Sequence, residues 1–194
     1  MSKKVFKEED YNSGDGMLTT VWGPGMWHSL HCISFNYPAN PSDKQKRQYM
    51  NFVLNLKNVL PCGKCRKNLV KNFKRLPLTM CNMKSRATFS LYVYKLHELI
   101  NEMLGKNSGL SYEDVRERYE HFRSRCTKSY RELITKIKKK KTVKKMHSIN
   151  TIKEEKGCTE PLYGDKSKCI LKIVPQETKC DTFQIDKSCI KRTL

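Results

Sequence analysis

The chain has 194 residues with a formal net charge of +20, and 38% of its residues are hydrophobic. This length suits one packed domain of about 100–150 residues with further segments beside it. No apolar run approaches the roughly 18 residues that span a bilayer, and the charged start lacks the apolar segment of a secretory signal. Both features argue against membrane-anchored and secreted classes, so we expect a protein of a cytosol-like compartment.

Two helices are predicted in the first part of the chain. The first runs from Pro24 to Phe35, because proline favours the first turn of a helix and apolar residues then recur at helical spacing. The second begins at a capping box formed by Ser42 and Gln45, and Pro61 ends it.

Three more helices are predicted further along the chain. One begins at Cys62 and runs towards Phe73. The longest periodic stretch, residues 88–106, predicts the next helix, and Gly105 suits its C-terminal cap. Ser111 begins the last one. Helices joined by short connections predict an all-α bundle of four to five helices.

The chain changes character after the helices. A lysine-rich segment is densest at residues 136–145, and such a charge run is either a solvated linker or a contact for nucleic acid. Beyond it, alternating apolar and polar residues at 169–174 and 182–185 predict short strands. The same segment carries Cys158, Cys169, Cys180 and Cys189.

We therefore expect four regions along the chain. They are an N-terminal extension (1–19), a helical domain (20–128), a basic linker (129–156) and a small cysteine-containing module of strands and loops (157–194). The last region holds too little apolar surface to fold on that surface alone.

Cys62 and Cys65 form a Cys-x-x-Cys motif at the start of the third predicted helix. Nine cysteines is a high number for an intracellular chain, and metal binding or redox catalysis is the usual reason. The helix dipole, with Lys64 and Arg66 nearby, favours a thiolate at Cys62. The motif alone fits a redox-active disulfide and half of a zinc site about equally well. Zinc would need a second close pair or suitably spaced histidines, which the first 126 residues lack, so we expect no metal site.

Two further pairs of residues have helical spacing. Trp27 and His31 are four residues apart, and His97 and Asn101 repeat this spacing, so each pair shares one helix face. An indole, two imidazoles and a carboxamide suit stacking on a purine or tricyclic ring and hydrogen bonding to its edges. Together with the cysteine pair, they predict a site for an aromatic redox cofactor.

Four motifs of the helical region resemble, in order and spacing, those of the Erv/ALR family of FAD-linked sulfhydryl oxidases. They are Trp22 to His31 with Tyr37 and Pro38; Pro61 to Cys65; His97, Asn101, Leu104, Gly105 and Lys106; and Val115 with Tyr119. They cover about residues 20–126, essentially the whole catalytic domain of the family. The resemblance implies the helical bundle of that family, with FAD held at its mouth.

The resemblance also implies the activity. A substrate dithiol would attack the disulfide at Cys62, Cys65 would meet the flavin, and O2 would be reduced to hydrogen peroxide. The implied partners are thiol-containing protein substrates or a thioredoxin-like carrier, and a second copy of the chain in a homodimer. The cofactor shell carried over from the family comprises Gly23, Trp27, His31, Tyr37, His97, Asn101, Leu104, Lys106 and Tyr119.

The chain departs from the usual cellular members of the family. Pro24 stands where they carry an arginine. Tyr112 stands where they carry one cysteine of a structural disulfide, whose other partner corresponds to Cys126. Both differences resemble the oxidases of large cytoplasmic DNA viruses. A viral member would act in the host cytoplasm, in virus factories, or in the virion.

Two rival functions use the same residues. A non-enzymatic zinc module with a nucleic-acid-binding linker would explain the charge and the cysteines, but it gives no role to Trp27 or His97. A thioredoxin-like reductase needs a strand before the cysteine-bearing helix, whereas residues 49–60 have helical periodicity.

The four tail cysteines also have two interpretations. They form either a mobile shuttle that carries electrons from the substrate to Cys62, or disulfide or zinc staples that hold the tail together.

Overall fold

The computed structural model describes residues 5–125, 158–181 and 183–191. The chain separates after Arg116 into two compact units. The first unit contains the cysteine pair and most of the helices. The lysine-rich segment predicted as a linker lies outside the described residues.

All regular secondary structure among the described residues is helical, and these residues contain no strand. The helices are α1 (Glu8–Tyr11), α2 (Thr19–Phe35), α3 (Asp43–Val59), α4 (Gly63–Arg75), α5 (Arg86–Met103) and α6 (Tyr112–Glu120), with short 3-10 helices at Met80–Met83 and Lys187–Cys189. No described helix is both long enough and apolar enough to cross a membrane. Because every element in the described residues is a helix, the all-α fold class is confirmed.

Local sequence signals explain where these helices begin and end. Ser42 and Gln45 form the predicted capping box at the start of α3. Gly105 follows α5 with a φ of 66°, a left-handed conformation that glycine adopts without strain. In contrast, α2 begins at Thr19 and includes Pro24 inside the helix. The proline ring removes the N–H that would bond the carbonyl of the residue four positions earlier.

The strands predicted in the tail are wrong for the described residues. Residues 169–174 are irregular, and Ile170 and Leu171 are 74% and 79% exposed. Ser124 and Pro161 form an isolated antiparallel bridge within the second unit. Alternating apolar residues become a strand when a neighbouring strand takes up their backbone hydrogen bonds and their apolar face is covered. The described part of the tail supplies neither.

The core of the first unit lies between α2, α3, α4 and α5, where α2 packs against α5 and α3 against α4. Tyr37, Met83 and Phe89 are completely buried within it. The hydroxyl of Tyr37 donates to the Met83 carbonyl at 3.0 Å, and that of Tyr92 donates to the Leu76 carbonyl at 3.0 Å. Each buried phenol therefore keeps a hydrogen-bond partner, as a stable core requires.

An aromatic cluster joins α2 to α5. The rings of Trp27 and His97 stack with their centroids 3.9 Å apart and 6° between their planes. Nε2 of His31 and Nδ1 of His97 are 3.0 Å apart, so one imidazole donates to the other. Burial is the main cause that lowers the pKa of His31 to about 3 and the pKa of His97 to about 4. Both rings are therefore neutral at pH 7.

We expect the folded chain to lose stability as the pH falls from 6.5 towards 4. In this window the unfolded histidines bind protons that the buried rings reject, so acidification favours unfolding. The loss reaches at most about 1.4 kcal/mol per pH unit for each ring. Urea denaturation at a series of pH values measures it. His97→Phe keeps a ring against Trp27 but cannot titrate, and its stability should vary less with pH. An unchanged pH dependence would contradict this assignment.

Candidate active site

Cys62 and Cys65 lie at the N-terminus of α4 with their Sγ atoms 2.6 Å apart. Cys62 is the residue before the helix, and its Sγ accepts a hydrogen bond from the backbone N–H of Cys65 at 3.3 Å. Both side chains are partly exposed. Because a disulfide bond is about 2.05 Å long, a small movement is enough to close the pair. The helix start therefore holds the two sulfurs ready for reversible disulfide formation.

The two sulfurs differ in acidity. Hydrogen bonds from the side chain and from the backbone N–H of Cys65 lower the pKa of the Cys62 thiol. Desolvation raises the pKa of the Cys65 thiol, and the neighbouring Cys62 sulfur raises it further. Cys62 is thus the more acidic member of the pair, as the sequence predicts for a sulfur at a helix N-terminus.

Cys65 forms part of the wall of an apolar cavity of about 150 Å³. The cavity lies between α2, α3, α4 and α5, and its walls are mainly aliphatic and aromatic. They include Met26, Leu30, Leu56, Leu69, Leu96 and Ile100. Cys62 does not line the cavity, so the two sulfurs of the pair face different surroundings.

Within the described part of the chain, one buried polar group in the cavity wall has no hydrogen-bond partner. Asn72 is 2% exposed, and its Nδ2 has no acceptor among the described residues. Leaving a buried amide donor unsatisfied costs about 1–3 kcal/mol. Asn72 follows Cys65 by two turns of α4, so both lie on the same helix face. The cavity wall therefore offers a hydrogen-bond donor to a ligand.

Three of the predicted cofactor residues, Gly23, Trp27 and Leu104, line the cavity. Gly23 is buried, and a Cβ built on it would meet Cγ2 of Thr19 at 3.6 Å as its nearest neighbour. The absence of a side chain at Gly23 therefore leaves open space in the wall. Because Trp27 stacks on His97, a ligand ring in the cavity would use the face of Trp27 that is turned away from His97.

Four other predicted cofactor residues lie outside the cavity lining. His31 and His97 contact each other between α2 and α5. Nδ2 of Asn101 donates to Oε1 of Glu98 at 2.9 Å. The backbone N–H of Lys106, an exposed residue, donates to the Asn101 carbonyl at 2.8 Å. His31 and His97 thus form a contact between α2 and α5, two of the helices around the cavity. Asn101 and Lys106 lie near the C-terminal end of α5, on either side of the cavity-lining Leu104 in the chain.

The remaining two predicted cofactor residues are Tyr37 and Tyr119. Tyr37 is part of the core, where its hydroxyl bonds the backbone of Met83. Tyr119 belongs to the second unit, where its ring packs edge to face against Phe122 with centroids 5.7 Å apart. Neither tyrosine lines the cavity.

The tail cysteines differ from one another in oxidation state. Cys158 is disulfide-bonded, whereas Cys169, Cys180 and Cys189 are free thiols. The four therefore do not form two disulfides among themselves. In the part of the chain that the structure describes, no three His, Cys, Asp or Glu side chains come together as metal ligands. Cys126 lies outside that part.

Sequence reasoning missed three polar residues that line the cavity, Thr19, Asn68 and Asn72. Oγ1 of Thr19 lies 3.5 Å from Sγ of Cys65. A signal for Asn72 existed, because it repeats the spacing of Cys65 and Leu69 on one face of α4. No signal marked Thr19, since it precedes the predicted start of its helix.

Comparison with known proteins gives concordant matches. A family model described as the Erv1 / Alr family matches residues 24–122. A protein of Acanthamoeba polyphaga mimivirus named "Probable FAD-linked sulfhydryl oxidase R368" is 33% identical over 104 residues, which are 54% of this chain and 72% of that protein. An "FAD-linked sulfhydryl oxidase" of African swine fever virus is 28% identical over 99 residues, which are 51% of this chain and 80% of that protein.

Among solved structures, the crystal structure of the yeast Erv1 core is similar in fold. The similar region covers 61% of this chain and 92% of the yeast chain, with 21% sequence identity and a TM-score of 0.49. The family match carries the assignment, because residues 24–122 are more than half of the chain and include the cysteine pair and the cavity-lining parts of α4 and α5. This chain belongs to the Erv1 / Alr family.

Proposed function

We propose that this protein is an FAD-dependent thiol oxidase that forms disulfide bonds in substrate proteins. The observation that supports it best is the position of Cys65, which belongs to a cysteine pair and also forms part of the wall of an apolar cavity. A thiol pair at the surface can exchange with substrate thiols. A cavity behind it can hold the group that accepts the electrons.

The residues around the cavity fit the ring system of FAD. The isoalloxazine ring is flat, apolar at one end and rich in carbonyl and nitrogen acceptors at the other. Leucine and isoleucine side chains suit its faces, and Nδ2 of Asn72 supplies a donor that has no partner among the described residues. Gly23 and Trp27 from α2 and Leu104 after α5 would hold the ring against α4. Bound FAD supplies a two-electron acceptor that passes the electrons to O2, which gives hydrogen peroxide.

The different surroundings of the two sulfurs assign their roles. A substrate thiolate attacks Sγ of Cys62, which lies outside the cavity, so a mixed disulfide forms and the Cys62–Cys65 bond breaks. Sγ of Cys65 leaves as a thiolate inside the cavity wall. A second substrate thiol then displaces Cys62, and the substrate departs with one disulfide. The protein is left with two reduced cysteines, and the thiolate of Cys65 faces the cavity.

Proteins that carry pairs of thiols, or a thioredoxin-like carrier, are the substrates we propose. We also propose that two copies associate through the first part of α2. Leu18, before that helix, and Val21 within it are 73% and 44% exposed, so this surface can bury apolar area in a dimer.

Cys65→Ser should abolish oxidation of a dithiol substrate while leaving the flavin bound, because the serine hydroxyl cannot carry the electrons. Oxygen uptake with dithiothreitol and the visible flavin spectrum measure the two effects. The control is Cys81→Ser, which changes an exposed free thiol and should leave both unchanged. Oxygen uptake by Cys65→Ser at the rate of the unchanged protein, or a wild-type protein without flavin absorption, would defeat the proposal.

Gly23→Leu should lower the amount of flavin that copurifies with the protein, because the new side chain grows into the cavity wall. Gly25→Leu is the matched control on the same helix, since a Cβ there meets nothing within 4 Å and Gly25 does not line the cavity. The ratio of flavin to protein absorbance measures occupancy, and circular dichroism checks that both variants are folded. Full occupancy in folded Gly23→Leu would exclude this cavity as the flavin site.

Asn72→Leu should stabilise the flavin-free protein and weaken flavin binding several-fold. Removing an unsatisfied buried amide favours the folded state, whereas the bound ring loses a hydrogen bond worth about 1 kcal/mol. Urea denaturation measures the first effect, and titration of flavin fluorescence measures the second. Asn51→Leu on the exposed face of α3 serves as the control. If Asn72→Leu bound flavin more tightly, the amide would not be a ligand contact.

A further inference from the structure

The hydroxyl of Thr19 contacts the sulfur that faces the cavity. Thr19 is the first residue of α2, and its Oγ1 lies 3.5 Å from Sγ of Cys65 although the two residues are 46 positions apart. This distance is normal for a hydrogen bond between oxygen and sulfur. The next threonine, Thr20, makes no such contact in the described structure and does not line the cavity. The chain therefore places one hydroxyl group at a reacting atom.

The segment before α2 fixes this hydroxyl in place. The backbone N–H of Met17 donates to the Pro61 carbonyl at 2.8 Å, and Nε1 of Trp22 donates to the Met17 carbonyl at 3.1 Å. A Cβ on Gly16 would lie 2.9 Å from the Pro61 carbonyl oxygen and 3.3 Å from Cα of Cys62. The close approach thus requires glycine at position 16, and it ties the start of α2 to the loop that carries the cysteine pair.

Few groups around Cys65 can stabilise a negative charge. None of the side chains that line the cavity from α2, α3, α4 or α5 is charged. The titratable group that faces Sγ of Cys65 is the Cys62 thiol, and the guanidinium of Arg66 is directed at the Leu60 carbonyl. Desolvation and Cys62 raise the pKa of the Cys65 thiol, whereas the Thr19 hydroxyl lowers it. The same hydroxyl also lowers the pKa of the Cys62 thiol, so its effect on Cys65 is isolated by removing the Cys62 thiol.

We propose that Thr19 is a catalytic residue whose hydroxyl donates a hydrogen bond to Sγ of Cys65 and stabilises the thiolate that forms there. The inference rests on the proposed thiol oxidase function. In that reaction the substrate sulfur bonds to Cys62, the bond between Cys62 and Cys65 breaks, and its electron pair stays on Sγ of Cys65. The proton of Thr19 remains on its oxygen and points at this charge. The contact lowers the barrier to opening the disulfide, because a more stable thiolate is a better leaving group.

The test measures the pKa of the Cys65 thiol directly. In a Cys62→Ser background, the rate of Cys65 alkylation by iodoacetamide is followed against pH, with the modified peptide quantified by mass spectrometry. Thr19→Val keeps the shape of the side chain and removes the donor, so the pKa should rise by roughly 0.5 to 1 unit. Thr20→Val is the matched control and should leave it unchanged. Thr19→Ser restores a hydroxyl and should bring the pKa back.

A second pair of variants tests the segment that positions Thr19. Gly16→Ala should raise the pKa of Cys65 in the same direction, because the added Cβ pushes the segment off the Pro61 loop. Gly14→Ala adds a Cβ in open space and should have no effect.

The outcomes separate this inference from the proposed function. Alkylation needs neither flavin nor oxygen, so an unchanged pKa in folded Thr19→Val overturns the role of Thr19 and leaves the oxidase proposal standing. A raised pKa in a protein that never oxidises dithiols overturns the oxidase proposal and keeps the hydrogen bond. A raised pKa together with slower dithiol oxidation in Thr19→Val supports both.

Discussion

The site depends on the positions of two sulfur atoms, one in the wall of the apolar cavity and one outside it. Sγ of Cys65 belongs to the wall of an apolar cavity, whereas Cys62 caps α4 outside it. The first turn of α4 crosses this boundary, and the sulfurs stay close enough to form a bond. In the proposed oxidase, electrons would enter at the partly exposed Cys62 thiol and leave from Cys65 towards the cavity, within a single helical turn. Every other feature of the site either shapes the cavity or adjusts the charge on these atoms.

The same apolar surroundings have two opposite effects. They suit the faces of a flat aromatic ring and keep His31 and His97 neutral, so these two rings add no positive charge beside the cavity. They also disfavour a thiolate at Cys65, because burial removes water from the charged sulfur and so raises the pKa of the thiol. Neutral donors can ease this cost without charging the interior. The structure places Thr19 at the sulfur and Asn68 and Asn72 in the cavity wall.

Residues that act locally were predictable from the sequence. The capping box at Ser42, the glycine after α5 and the cysteine pair at the start of α4 all follow from spacings within one turn. The prediction of strands in the tail was wrong for the described residues. Alternating apolar and polar residues indicate which side chains could share one face of a strand, but a strand also needs a neighbouring strand to pair with. The start of α2 was placed at Pro24, since proline signals a first turn, yet the helix begins earlier at Thr19.

The sequence by itself determined the helices, the all-α class and the motif pattern of the family, because helix geometry fixes which residues within a few positions share a face. The tertiary structure alone decided which faces meet. His31 contacts His97 across 66 positions, and Thr19 reaches Cys65 across 46. Such contacts depend on how α2 and α4 each pack against α5, and no local spacing encodes them.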